Sequence, residues 1–161
     1  MGDLTANLSR SEFACKCDRP ECNRTPVDFH LASGLQRCVD YFAEQAILDG
    51  FEIERVACHI NSGYRCLWYD AKLKGKNPQD FNGIKKSEHV WGIAADFWLE
   101  YVFIERDSSN KNVRRKIDDN KIATYLEAQY IGAGGIGRYD GRTHFDVRPG
   151  PAARWDNRGK R

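Results

Sequence analysis

Apolar side chains at Leu31, Leu35, Cys38, Val39, Phe42 and Ala46 recur at three- and four-residue intervals. Residues 27–49 therefore predict one long amphipathic helix, with Gly50 as its stop. FEIERVACHI (51–60) alternates well enough for a strand, and Asn61-Ser62-Gly63 after it is turn chemistry. Residues 67–74 predict a short helix, followed by a polar loop, KGKNPQDFNGIKK. Residues 92–104, rich in Ile, Phe, Trp, Tyr and Val, predict a strand; RDSSNKN is a loop. Residues 112–130 have helical character, with Ile117, Ile122, Ala123, Leu126 and Tyr130 as the apolar positions. GAGGIGRY and THFDVR then form two short strands around the turn Asp140-Gly141. Helices and strands come in blocks rather than in strict alternation. That pattern predicts an α+β fold with a small antiparallel sheet flanked by helices.

No repeat, low-complexity tract or long linker divides the 161 residues, a length suited to one domain with a real core. The expected organisation is a single domain with its core over about residues 8–155. With 41% hydrophobic and 30% charged residues the chain is of the globular class. Its 25 basic and 23 acidic residues give a formal charge of +2, too even for a nucleic-acid footprint. The basic cluster Arg154, Arg158, Lys160 and Arg161 reads as a solvated tail. No apolar stretch approaches the ~20 residues of a membrane span. The first residues, MGDLTANLSRSEF, lack the basic-then-apolar order of a secretory signal. MGDLTA fits the loose myristoylation pattern, a six-residue match common by chance. The expectation is a monomer made in the cytoplasm without its own export signal.

Six cysteines divide into a cluster, Cys15, Cys17 and Cys22 in CKCDRPEC, and three dispersed residues, Cys38, Cys58 and Cys66. The cluster has the makings of half a structural zinc site with His30 as fourth ligand, although C-x-C-x4-C is not the paired C-x2-C signature. Free thiols, or one disulfide formed in an oxidising space, are the other readings.

A sharper signal lies in SEHVWGIAADFW (87–98), where Asp96 stands directly before Phe97, Trp98 and Leu99. A buried charge needs a partner: an arginine, backbone donors or a metal. His89 lies seven residues earlier. On one helix the two would be ~10.5 Å apart along the axis, too far to share an ion held at ~2.0–2.2 Å. Gly92 and the strand-like run after it predict instead that the chain bends between them. In THFDVR, His144 and Asp146 fall two apart, so a strand points both to one face. Two histidines and one carboxylate, with a coordination position left open, is the composition of a catalytic zinc centre.

SGYRC (62–66), S-x-H-x6-D (Ser87, His89, Asp96) and GGIGRY…HFDVR (134–148) occur in order along the chain. Together they resemble the zinc D-Ala-D-Ala carboxypeptidase family. Bacterial D,D-carboxypeptidases, murein endopeptidases and phage endolysins belong to that group, whose fold is shared with lysostaphin-type peptidases and the hedgehog signalling domain. LSRSEFACKC also looks like the opening segment of the group, and the resemblance spans about residues 8–155. It implies a hedgehog/D-Ala-D-Ala-peptidase-like fold and one catalytic zinc ion on His89, Asp96 and His144. It implies a substrate in bacterial peptidoglycan, with Arg65 contacting the substrate or the developing oxyanion; Ser87, and Tyr139 flanking a proposed ligand, are the further candidate substrate contacts. An L-alanyl-D-glutamate endopeptidase and a D,D-carboxypeptidase both fit. So do a phage-type lysin released at lysis and a part of the phage particle that opens the wall.

The chain departs from the family at one point. Several members carry the catalytic acid three residues before the last histidine ligand, and that position here is Gly141. Asp146 is the preferred substitute, with Asp140 and then Glu88 behind it. Asp146 equally suits a role orienting a zinc-bound histidine. The glycine also keeps alive a catalytically silent zinc-binding wall-recognition or virion module. Arg65 has plainer partners in Asp70 or Glu88; His30 and His59 read as ordinary surface or core histidines. Trp91, next to a proposed ligand, is suited to lining a groove. GAGGIG lacks the Lys-Ser/Thr ending of a phosphate loop and reads as close strand packing.

Overall fold

The computed structural model describes residues 2–77, 79 and 87–160. Helix α1 (Phe29–Leu48) starts where the Asp28 carboxylate accepts the His30 amide at 2.8 Å, and it ends before Gly50 at φ +78°. Its apolar stripe lies against a six-stranded sheet. The strands are β1 (Ile53–Ser62), β2 (Ala94–Arg106), β3 (Asn112–Lys116), β4 (Gly135–Tyr139), β5 (Arg142–Asp146) and β6 (Ala153–Asp156). Two further helices, α2 (Leu67–Leu73) and α3 (Asp119–Gln129), and 3₁₀ turns at Arg10–Phe13 and Glu88–Trp91 complete the described elements.

Strand β2 organises the sheet. β1 pairs along one edge; β5 covers the first part of the other edge and β3 the second part, all antiparallel. β4 pairs β5 antiparallel through the two-residue turn Asp140-Gly141, and β6 joins β4 in parallel, so the order is β1-β2-β5-β4-β6. The fold is α+β with a mixed sheet, not the purely antiparallel one that the pattern predicts.

Successive strand residues point to opposite faces, and the register carries that alternation across the sheet. Val56 and Cys58, Ala95, Phe97 and Leu99, Ile136, and Phe145 face α1 and α3 in one apolar core with Leu31, Leu35, Phe42, Ile122 and Leu126. The intervening residues face the other way: His59, then Asp96, Trp98 and Glu100, then His144 and Asp146, then Gly135, Gly137 and Tyr139. One face of the sheet is core and the other carries nearly all of its chemistry.

Two elements differ from expectation. The helix predicted over 112–130 is a strand, β3, followed by the shorter α3. Asp107 accepts from the amides of Ser109 and Lys111 and Asn110 takes φ 59°, which turns the chain into a hairpin. The cations of β3 then lie over aromatic rings, Arg115 on Phe103 at 5.2 Å and Lys116 on Trp98 at 5.8 Å. The second correction concerns the basic tail. Arg154 lies on β6 and donates to the carbonyls of Tyr130, Ala133 and Gly134, capping the end of α3. Arg158 pairs with Asp156. Arg161 and most of the predicted polar loop KGKNPQDFNGIKK lie outside the described residues.

Gly135 and Gly137 of GAGGIG serve close packing. A Cβ at Gly137 would come within 2.3 Å of the Trp155 ring, and one at Gly135 within 2.2 Å of the Asp146 carboxylate. Gly137→Ala is therefore expected to cost about 1–3 kcal/mol by overpacking. That corresponds to a fall in Tm of about 3–10 °C at this chain length. In a Trp155→Ala background the same substitution should cost little, because nothing remains to collide with. Equal losses in both backgrounds, read by thermal unfolding, would refute this packing account.

Candidate metal centre

His89, Asp96 and His144 come together from three directions. Asp96 and His144 are directly opposed across the β2–β5 ladder, so their side chains rise side by side from the chemical face. His89 sits in the 3₁₀ turn before β2, and Gly92 at φ +71° reverses the chain between turn and strand. A Cβ at Gly92 would lie 2.4 Å from the Pro26 carbonyl oxygen, so both conformation and space demand glycine there. The bend expected from the sequence is present, and it removes the long span that one helix would have imposed.

One ligand atom from each of the three residues lies within 4.8 Å of the others. Asp96 Oδ1 is 2.8 Å from His144 Nδ1 and 3.5 Å from His89 Nε2. Those distances bracket the ~3.3 Å that separates neighbouring donors around a tetrahedral ion with bonds of ~2.0–2.1 Å. Every donor is also held from behind. His89 Nδ1 meets the Gly63 carbonyl at 2.7 Å, which leaves Nε2 for the centre. His144 Nε2 meets Asp146 Oδ2 at 3.0 Å, which leaves Nδ1. Asp96 Oδ2 accepts from Arg65 Nη2 at 2.9 Å, which leaves Oδ1. Outer partners of this kind fix the tautomer and aim of metal-binding groups. Two imidazoles and a carboxylate suit a divalent first-row ion, and three protein donors leave one position open.

The electrostatics are those of a dry, fully engaged cluster. Burial alone would raise the Asp96 pKa, but the hydrogen bonds from His144 and His89 hold it far below the usual carboxylate range. Burial opposes charge on His144, yet bonds to Asp146 and Asp96 outweigh it and push the pKa up.

Asp146 is fully buried and its oxygens are fully used. Oδ1 accepts from the Arg148 amide and from Arg148 Nε at 2.7 Å; Oδ2 takes Arg148 Nη2 and His144. Burial works to raise its pKa, and the Arg148 and His144 contacts bring it well below the ordinary value. Both oxygens of this carboxylate are therefore already engaged by Arg148 and His144. Asp140 is not brought to the centre. It is exposed in the β4–β5 turn, and its carboxylate accepts the Gly159 amide at 2.9 Å. Glu88 precedes His89 and approaches Arg148 Nη1 at 3.7 Å.

Arg65 does not take Asp70 or Glu88 as partner; Asp70 pairs with Lys74 at 2.6 Å. Its Nε donates to Ser62 Oγ at 2.9 Å and its backbone amide to the His89 carbonyl at 3.1 Å, so turn and ligand support each other. Ser87 precedes the 3₁₀ turn and its carbonyl accepts the Val90 amide. Tyr139 stands on the chemical face, its hydroxyl accepting from Trp155 Nε1 at 3.0 Å, while Trp155 lies 5.0 Å from the His144 ring. Trp91 is exposed beside His89. His30 is exposed and meets Asp28 at 3.3 Å, so it is not the fourth partner of the cysteine cluster. That partner is Cys66, which makes a second candidate metal group with Cys15, Cys17 and Cys22 among the described residues, where the sequence predicts one zinc.

Gly63, Arg148 and Trp155 also belong to the centre. Arg148 was readable in principle, two residues beyond Asp146 on the same strand line; the Gly63 contribution is a backbone oxygen and leaves no trace in residue type. Comparison with protein-family models, curated proteins and solved structures gives no match.

If Asp146 holds His144 in its ligating tautomer, Asp146→Asn should weaken Zn²⁺ or Co²⁺ at this centre by about 10–100-fold without abolishing it. Asp96→Ala should abolish it. Competition against a chromophoric chelator reads both, and an Asp146→Asn affinity equal to wild type would remove Asp146 from the orienting role.

Proposed function

We propose that the chain is a zinc-dependent peptidase of the zinc D-Ala-D-Ala carboxypeptidase type, with the corresponding hedgehog-like fold, acting on peptidoglycan stem peptides. The observation that carries this reading is the convergence of His89 Nε2, Asp96 Oδ1 and His144 Nδ1, each aimed by its own outer partner. A purely structural ion pair would need Arg65 and Asp96, but not two histidines turned by separate acceptors toward one carboxylate oxygen.

A zinc ion held there supplies Lewis acidity and a bound water with its pKa lowered to ~7. The protein's own groups supply the remainder. Asp96 and His144 hold their donor atoms in place through Arg65 and Asp146. Arg65 spends Nε on Ser62 and Nη2 on Asp96, and its Nη1 has no protein partner among the described residues. That N–H is positioned for a substrate oxygen on which charge develops in the transition state. Proton transfer requires a carboxylate with free acceptor capacity, and Asp146 has none. Glu88 is joined to the centre through Arg148 and lies next to His89 in the chain, so it is the proposed proton carrier. Tyr139, Trp91 and Ser87 are the proposed substrate contacts. The exposed aromatic Trp91 suits a peptide backbone or sugar face better than a small ion.

One observation favours a second reading, a wall-recognition module without turnover. Gly141 stands where several family members carry the acid, and its carbonyl is engaged by Lys116 at 2.7 Å.

Purified murein sacculi, with product masses identifying the cut bond, separate the two. Peptide release should be abolished by Asp96→Ala and lowered about 10²–10⁴-fold by Glu88→Gln at unchanged zinc content. Arg65→Lys should also lower kcat, because an ammonium cannot reproduce the fork that reaches Ser62, Asp96 and substrate together. Binding to sacculi without release of any peptide by the zinc-loaded wild type would favour the silent module.

A further inference from the structure

We propose that Cys15, Cys17, Cys22 and Cys66 hold a second zinc ion, a closed structural site that staples the segment 14–28 to the turn carrying Gly63 and Arg65. The inference does not depend on the peptidase reading.

The four Sγ atoms lie within 4.8 Å of one another, and Cys66 Sγ is 3.7 Å from Cys17 Sγ. A tetrahedral ion with Zn–S bonds of ~2.3 Å separates its sulfurs by ~3.8 Å, so the thiols already occupy the corners of such a site. Four sulfurs without an open position is the composition of a structural rather than a catalytic ion. The Cys66 amide donates to Cys15 Sγ at 3.3 Å, the kind of outer hydrogen bond that stabilises a ligating thiolate. The other two cysteines, Cys38 and Cys58, are buried in the apolar core and are not part of this group.

The segment itself calls for such a staple. From Ala14 to Asp28 the chain forms no helix or strand, and none of its side chains is buried. An irregular stretch of that length has little apolar contact to offset the entropy of being fixed. Its path nevertheless matters, because Gly92 packs on the Pro26 carbonyl and the Asp28 amide donates to the Gly92 carbonyl at 2.9 Å. At the other end, Tyr64 donates to the Phe13 carbonyl at 2.8 Å, and Cys66 directly follows Arg65. A metal on the four sulfurs therefore fixes both flanks of the turn that orients His89 and Asp96.

The test uses the full chain, purified in reductant and loaded with Co²⁺ in place of zinc. A four-thiolate cobalt site gives strong sulfur-to-metal charge-transfer absorption, whereas the His/Asp centre gives none. The band should appear in wild type and persist in Asp96→Ala, and it should be lost in Cys22→Ser. Because Cys22→Ser is at risk of misfolding, mercurial titration of the zinc-loaded wild type and Asp96→Ala proteins supplies an independent reading. Both should release one zinc as the four clustered thiols react. Thiols that react without zinc release, absence of the charge-transfer band in wild type, or disulfides persisting by mass in the reduced protein would each overturn the proposal. Asp96→Ala also keeps the two readings apart, since it removes the His/Asp centre and leaves the cysteine site untouched.

Discussion

Asp96 sits between two sheet strands with little access to water, and a carboxylate so placed must be met on both oxygens or cost several kcal/mol. Much of the site follows from meeting it. Arg65 takes Oδ2, which fixes the turn after β1 over the end of β2. His144 and His89 approach Oδ1, which requires β5 to pair in the register that opposes position 144 to position 96. The same register places Phe145 and Phe97 in the core, so a one-residue slip would bury the ligands and expose the core together. Apolar packing and site geometry are therefore enforced by one pairing rather than by separate interactions.

Arginines surround the cluster on both sides, Arg65 against Asp96 and Arg148 against Asp146. This arrangement neutralises each carboxylate without using the histidine nitrogens that point inward. It also explains why Gly135 is needed: any side chain there would displace the Asp146 carboxylate that Arg148 and His144 share. Gly137 does the same for Trp155, whose ring closes one side of His144. The strand β4 is thus kept bare so that its neighbours can lie across it.

Much of this was legible in the sequence, and what was not has physical causes. The α1 stripe and the alternation in 94–99 state their faces directly, and Asp96 before Phe97 is what alternation requires of a residue on the opposite face. Gly92 announced the reversal that brings His89 back. Strand β3 was misread because its cations work by covering Trp98 and Phe103, so the charged run carries no apolar period. β6 was hidden because Trp155 packs on Gly137 in β4 and Arg154 caps α3, contacts set by tertiary position alone. Cys66 escaped as the fourth sulfur since it lies 44 positions beyond Cys22; three clustered cysteines short of a partner were the available hint. The sequence leaves Asp146 between two roles, because its partner Arg148 lies beyond the end of β5 and its contacts depend on the tertiary fold.

On the proposed reading, the chemical face of the sheet holds a metal with one position left for water or substrate. Anomalous scattering from a crystal of the zinc-loaded protein at the zinc edge tests it most directly. The account predicts a peak bonded to His89 Nε2, Asp96 Oδ1 and His144 Nδ1, with a fourth ligand that is not a protein atom. No density at that point in fully loaded protein, or an ion closed off by a fourth side chain, would contradict it.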